Sequence, residues 1–380
     1  MKCELVSSLA DVNRNEWDSL NTSNHPFTSY DFLNSLEMSE SVTAKTGWNP
    51  QHIIIKNNTG NIIGASPNYL KMHSYGEYIF DHAWANAFEN AGGQYYPKLL
   101  SAIPFTPATG PRVLIDPKNP DNNKIFKLII NMFEAIVQNN NLSSAHINFI
   151  TDNLSKKLNN EKWIKRKGLQ FHWHNRDYNS FDDFLSKLKS SKRKAIRKER
   201  RTIMNNNLVI QKVTGNELNN EIWDSFYNFY LNTIDKKWGG AYLTKSFFYL
   251  INETMKNKIL LIIAKQNNKI IAGALNFIGS NTLYGRNWGS IVDIPFLHFE
   301  LCYYQAIEYA IDNNIKKVEA GAQGHHKIQR GYVAESTYSR HLIQNESFAK
   351  AVRNFVQLET KEIDKQIQLI NEQSSPYSNI

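Results

Sequence analysis

ILLIIAKQNNKIIAGALNFIGSNTLYGRNWGS (259–290) is the stretch that decides the fold. ILLIIAKQ (259–266) and KIIAGALNFIGS (269–280) are apolar, strand-length runs joined by an Asn-rich turn, which is a hairpin signal. TLYGRNWGS (282–290) predicts a third antiparallel strand. Upstream, LVIQKVT (208–214) reads as a strand, and EIWDSFYNFYLNTI (221–234) and TKSFFYLINETMKN (244–257) read as helices. Downstream, LHFELCYYQAIEYAIDNN (297–314) reads as a helix that is apolar nearly all round and so buried. KKVEAGA (316–322) predicts a strand leading into a Gly-rich loop, and STYSRHLIQ (336–344) another strand. A final helix over 346–371 ends in a polar tail expected to fray.

The first half gives a similar order. KCELVSS (2–8) predicts a strand, and short helices follow at 9–20 and 28–39. QHIIIKN (51–57), NIIGASPNYLK (61–71) and GEYIFDHAW (76–84) read as three strands. A Tyr/Pro-rich connection leads to VLID (113–116), a helix at 123–139, and strands SAHINFI (144–150) and KGLQFHWHN (167–175). The repeated order predicts two copies of one mixed α/β fold, 1–175 and 176–380. A length of 380 residues agrees with two domains.

Eight Trp, 18 Tyr and 20 Phe exclude a disordered chain. Cys3 and Cys302 make neither a disulfide framework nor a four-Cys zinc site. The N-terminus lacks a secretory apolar run, and no apolar run reaches the roughly 18 residues of a membrane span. The expectation is a cytoplasmic protein.

The net charge is +9, and the segment Lys187–Arg201, with nine basic residues and one acid, carries +8 of it. SFDDFLSKLKSSKRKAIRKERRTIM (about 180–204) predicts one helix capped by Ser180, with Asp182 and Asp183 in its first turn. Phe184, Leu185, Leu188, Ala195, Ile196 and Ile203 fall in one sector, and every basic residue but Lys192 falls opposite. Such a face suits phosphates of RNA, of a nucleotide cofactor or of lipid headgroups; without a partner it is a solvated face. No helix-turn-helix, finger or zipper pattern points to DNA.

Long stretches resemble one family: TGWNPQHIII (46–55), HSYGEYIFDHAWA (73–85), YYPKLLSAIPFTPATGPR (95–112), FDDFLSKLKSSKRKAIRKERR (181–201), LYGRNWGS (283–290), HFELCYYQAIEYAI (298–311) and EAGAQGHHKIQRGY (319–332). Together they resemble the FemAB-like predicted N-acyltransferases, relatives of the Fem-type aminoacyl transferases of peptidoglycan synthesis. The resemblance implies an α/β fold of two tandem GNAT-like domains and transfer of an acyl or aminoacyl group to an amine, with no bound cofactor. The donor, acyl-CoA or aminoacyl-tRNA, is a co-substrate. GSIVDIPFLHFE (289–300) lacks the Gly-rich pyrophosphate loop of CoA-dependent relatives, as Fem-type enzymes also do, and His325 stands where the family commonly has an acid.

N-acyl transfer needs donors for the carbonyl oxygen, a neutral amine and an acid for the leaving group. In EAGAQGHHKIQRGY, Glu319 ends a predicted strand beside a Gly-rich loop, and His325, His326, Lys327 and Arg330 follow. The resemblance implies that Lys327 neutralises charge on the donor or intermediate, with Glu319 or His326 taking the amine's proton. Arg330, His298, Glu300, Arg193, Lys194 and Arg197 are the donor-binding candidates. His298, Cys302 and Gln305 share a helical stripe at i, i+4 and i+7, where an inert cysteine is the commoner outcome than a nucleophile. His73, Glu77 and Asp81, the last two on one face of a predicted strand, are candidates for the acceptor amine. Thr109, Gly110 and Arg112 end a run read as packing. HWH (172–174) and HH (325–326) lack partner cysteines, so no metal is expected.

Three functions remain open: transfer to a cell-wall precursor, CoA-dependent acetylation of a protein or metabolite, and a non-catalytic module. The partners would be the donor and the acceptor amine, with tRNA and an anionic membrane surface as candidates for the basic helix.

Overall fold

Apolar strands flanked by amphipathic helices need sheets covered by helices, and the chain builds this twice. The structure is a computed structural model that describes residues 1–235, 240–322 and 324–378. Gln323 of the predicted catalytic loop lies outside the described residues. The chain divides into two units: Met1–Gly168 with Ser336–Lys365, and Leu169–Glu335 with Gln366–Ile380. A division at 175–176 was expected. The contacts instead place it within the strands Trp163–His174 and Val333–Ile343, and they return Ser336–Lys365 to the first unit.

In the first unit, Lys2–Val6, His52–Lys56 and Ile62–Ser66 form a small antiparallel sheet. Trp48–Pro50, Tyr69–Lys71, Lys98–Ser101 and Ser144–Ile150 form another, and Tyr338 to Ile343 add antiparallel to the last of these. Helix Asn122–Asn139 buries Ile125, Ile129, Phe133 and Val137 in a core with Ile53, Leu99, Ile147 and Trp163. The expected strand 61–71 is two strands in different sheets, because Pro67 cannot donate to a ladder and Asn68 turns the chain. The expected strand 76–84 is absent: a loop runs to Asp81, and helix His82–Asn90 follows.

In the second unit the sheet order is Leu169–His174 of the long strand, Lys317–Glu319, Thr282–Ser290, Lys269–Ile278, Ile259–Gln266 and Val209–Thr214. The decisive hairpin forms as read, Ile259 pairing Phe277 and Gln266 pairing Lys269. The buried helix runs from Leu297 to Asp312, with a wide π turn at Glu300–Tyr304. Leu301, Tyr304 and Ile307 of this helix pack on Ile262, Val318 and Trp173.

The basic segment is two helices, Phe181–Ser186 and Ser190–Met204. Ser180 caps the first as expected, accepting from the Asp183 N–H at 3.1 Å. The break comes from the chain's end. Leu188 bridges Tyr377, the Lys189 N–H donates to the Pro376 carbonyl at 2.8 Å, and the Ser378 N–H donates to the Lys187 carbonyl at 2.9 Å. The tail therefore does not fray at Pro376–Tyr377; both residues are buried. Among the described residues no helix is long and apolar enough to cross a membrane.

Candidate active site

In the second unit the parallel strands Thr282–Ser290 and Lys317–Glu319 pair only from Thr282↔Lys317 to Tyr284↔Glu319. Past Tyr284 they diverge. Gly285 stands at the fork, where a Cβ would lie 3.3 Å from the Ala320 Cα. One residue on, Arg286 is the extra residue of a β-bulge, since Leu275 pairs Asn287 while Asn276 pairs Gly285. Beyond Tyr284 the edge of strand Thr282–Ser290 that faced Lys317–Glu319 has no ladder partner, while the bulge lies on its other edge, in the pairing with Lys269–Ile278.

A cavity of about 110 Å³ opens there. Its walls include Asn276, Arg286, Asn287, His298, Cys302 and Tyr303. The π turn lets His298, just before it, and Cys302 and Tyr303, within it, all reach this space. The His298 ring packs edge-on against Trp288 and Tyr303 at 5.3 Å each, and its centroid is 6.0 Å from that of His326. The Tyr303 hydroxyl meets His326 Nε2 at 2.8 Å. His326 itself is exposed. Partial desolvation, then the nearby charges of Arg330 and Lys327, lower its pKa and favour a neutral ring.

The sheet separates two groups of predicted residues. Val318 and Trp173 point into the helix-side core, so by alternation Glu319 and its cross-strand neighbour His172 face the other side. Glu319 is buried with an oxygen 2.5 Å from Lys317 Nζ. His172 Nδ1 donates to Glu335 at 2.7 Å, and His174 also pairs with Glu335. Burial would raise the Glu335 carboxyl, but these two imidazoles hold it well below the usual range. Among the described residues no group of three or more His, Cys, Asp or Glu has a metal-holding arrangement.

Other sequence candidates are occupied. Lys327 is buried and donates from Nζ to the Gly321 carbonyl at 2.7 Å; burial pushes its pKa down to about 7. Arg330 donates to Glu199 and to the His326 carbonyl, each at 2.7 Å, and lies 3.4 Å over the Phe299 ring. Glu300, expected to meet the donor, accepts from Arg200 at 3.1 Å and from Gln305 at 2.8 Å. The π turn thus takes Gln305 off the predicted stripe. Arg193 donates to the Ser186 and Leu188 carbonyls, and Arg197 pairs with Asp182 at 3.1 Å, leaving Lys194 exposed. His325 packs edge-on against Phe171.

The acceptor candidates lie in the first unit, two of them, Glu77 and Asp81, in a buried ionic cluster. Lys98 Nζ donates to Ser74 at 2.7 Å, Glu77 at 2.9 Å and Asp81 at 2.5 Å. His73 donates from Nε2 to the Thr46 carbonyl and accepts from the Tyr75 N–H. Glu77 and Asp81 therefore converge as predicted, but around an internal lysine, which a strand reading could not place. Arg112 bonds the Asn148 and Ala108 carbonyls, a packing role as read. The sequence reading missed Asn276, Arg286, Asn287 and Tyr303; the Gly-Arg-Asn at a strand's middle was the available signal of a bulge.

Two mixed α/β units, the second with a cavity where its parallel strands part, give the architecture that the sequence resemblance implied. The chain belongs to the FemAB-like family, described as peptidoglycan biosynthesis/recognition, whose family model matches residues 8–379. Among solved structures the chain is similar to FemX, with a TM-score of 0.56 and 11% identity over 93% of this chain and 100% of that one. It is also similar to the C-terminal domain of a putative lysylphosphatidylglycerol synthetase from Agrobacterium fabrum, with a TM-score of 0.55 and 9% identity over 91% and 96% of the two chains. L-PGS from Bacillus licheniformis gives a TM-score of 0.52 and 8% identity over 89% and 96%. No curated protein matches the sequence.

Proposed function

We propose that the second unit transfers an acyl or aminoacyl group to an amine of a cell-wall precursor, with the reacting carbonyl seated in the cavity at the strand fork. One observation carries the reading: the ladder ends at Tyr284↔Glu319, and the bulge at Arg286 follows at once, on the wall of a cavity that also holds His298 and Tyr303. The unpaired strand edge supplies N–H groups for the carbonyl oxygen, whose negative charge grows as the amine attacks. The C–N bond forms, and the C–O bond of an ester or the C–S bond of a thioester breaks. The acceptor ammonium loses two protons in all: one reaches neutral His326 through the Tyr303 hydroxyl and frees the lone pair that attacks, and the other goes to the departing oxygen or sulfur. Lys327 and Arg330 hold the loop that carries His326, through Gly321 and Glu199.

The donor is aminoacyl-tRNA or acyl-CoA. The chemistry is tested by single-turnover transfer from alanyl-tRNA and from acetyl-CoA to a lysine-containing muropeptide. His326→Gln and Tyr303→Phe should each slow transfer by about 100-fold or more with the fold retained. Wild-type rates in both variants would remove these residues from the reaction. Glu319→Gln separates the two proton acceptors suggested by the sequence: a small effect supports His326, and a loss of similar size moves the base to the other sheet face.

A further inference from the structure

The basic helix Ser190–Met204 has two faces with different fates. Ile196 and Ile203 are fixed in the core of the second unit. Glu199 pairs with Arg330, and Arg200 with Glu300 and Glu308. Arg193, Arg197 and Lys192 are taken by the Ser186 and Leu188 carbonyls, Asp182 and Gln329. Left over are Lys194, Lys198 and Arg201, exposed and without a side-chain hydrogen bond or ion pair among the described residues. They stand at i, i+4 and i+7, a single stripe along the helix. At the stripe's end Met204 is 70% exposed, and Val209, just beyond the turn, is 56% exposed.

We propose that this face docks on an anionic phospholipid bilayer, the ammonium and guanidinium groups meeting the headgroups while Met204 and Val209 enter the boundary below them. Charge complementarity names an anionic partner, and two observations favour a bilayer over RNA. Planar guanidinium forks suit phosphates gripped one by one; three of the helix's four arginines, Arg193, Arg197 and Arg200, are tied to the protein itself. Bases stack on aromatic platforms; the exposed large apolar residues that follow this stripe along the chain, Met204 and Val209, are not aromatic. A row of cations ending in exposed aliphatic side chains fits a charged interface with an apolar layer beneath it. The packed opposite face holds the row rigid, so docking needs no folding step. This inference stands apart from the transfer chemistry.

The test is co-sedimentation of the whole protein with vesicles of phosphatidylcholine, with and without 30% phosphatidylglycerol, in low and high salt. Binding is expected with phosphatidylglycerol only, weakening as salt rises. The triple variant Lys194→Glu/Lys198→Glu/Arg201→Glu should lose at least about tenfold in partition. The milder Lys194→Gln/Lys198→Gln/Arg201→Gln should lose less while keeping the wild-type circular dichroism. Met204→Ser/Val209→Ser should weaken the binding that survives high salt. Absence of binding to phosphatidylglycerol vesicles overturns the proposal, as does binding that the triple reversal leaves unchanged. Capture of uncharged tRNA by the same face, with vesicles left unbound, overturns it in favour of RNA.

Discussion

Lys98 is a cation with no exposed surface, enclosed by Ser74, Glu77, Asp81 and the Tyr95 ring. Burial alone would lower its pKa, but the two carboxylates outweigh that and raise it. The carboxylates themselves divide. Burial would raise Asp81, yet Lys98 and then His146 hold it well below the usual range. Burial wins at Glu77, pushing it up to about 7. Glu77 thus binds its proton more tightly in the folded state than in the unfolded chain. Its contribution to stability is complete below about pH 4.5 and is lost as pH rises through about 7. Glu77→Gln should flatten that slope and stabilise the protein above pH 7 by roughly 1–3 kcal/mol, while keeping an acceptor for Lys98. Urea midpoints of both proteins between pH 5 and pH 8 check this; parallel curves would mean that Glu77 does not titrate there. Lys71, lowered to about 7 chiefly by burial, has the opposite slope, its contribution lost as pH falls through about 7.

At the scale of elements, the helix Ser190–Met204 holds the loop His325–Arg330 in place. Glu199 accepts from Arg330 at 2.7 Å and from the Tyr304 hydroxyl, and Arg200 reaches Glu300 inside the π turn. Removing one partner of a buried pair strands the other. Arg330→Ala should therefore cost about 3 kcal/mol, read as a shift in denaturant midpoint, because Glu199 loses its cation. The loop's exit, Gly331, has φ +93°, and a Cβ there would lie 2.6 Å from the Phe184 ring. Gly331→Ala should cost about 2 kcal/mol or more and broaden the His326 resonances in NMR; an unchanged midpoint would mean that the loop has slack.

Much of this scale was legible. Continuous apolar runs of strand length and an Asn-Asn turn made the 259–278 hairpin readable. Other features depend on distant partners. GEYIFDHAW alternates like a strand, but Glu77 and Asp81 turn inward because Lys98 is there. The helix expected over 180–204 breaks because Pro376–Ser378 takes its backbone at Lys187 and Lys189. The cavity escaped notice because it is made by backbone divergence at Gly285 and by a π turn, neither of which has a side-chain period.

Over the whole molecule the chain is interleaved: first unit, second unit, first again, then second. The last segment matters out of proportion to its size. The Tyr377 hydroxyl donates to the Gly331 carbonyl at 2.7 Å, and Arg176 lies 4.2 Å over its ring. Ending the chain after Gln373 should lower stability by about 3 kcal/mol, near the cost of deleting a large buried aromatic, and raise protease sensitivity at Lys187 and Lys189. Unchanged cleavage there would mean that the tail does not hold the joint. The first unit makes a sharper prediction. A fragment of residues 1–168 lacks one of the two partners of strand Ser144–Ile150, and it lacks Glu359, which pairs bidentately with Arg166. It should bind hydrophobic dyes and lack near-ultraviolet circular dichroism, whereas joining residues 336–365 to it through a flexible linker should restore both properties to the native state. A well-folded 1–168 fragment would show that the returning strand is dispensable.

This interleaving also sets an order of events on the ribosome. His146 waits for His341, and Ile150 for Tyr338, so the first unit's sheet keeps an open edge until the strand Val333–Ile343 has been synthesised. That sheet is begun before the second unit and finished only after residues 169–335 have been made, and until then its bare edge is exposed to chaperones and to neighbouring chains on the same message.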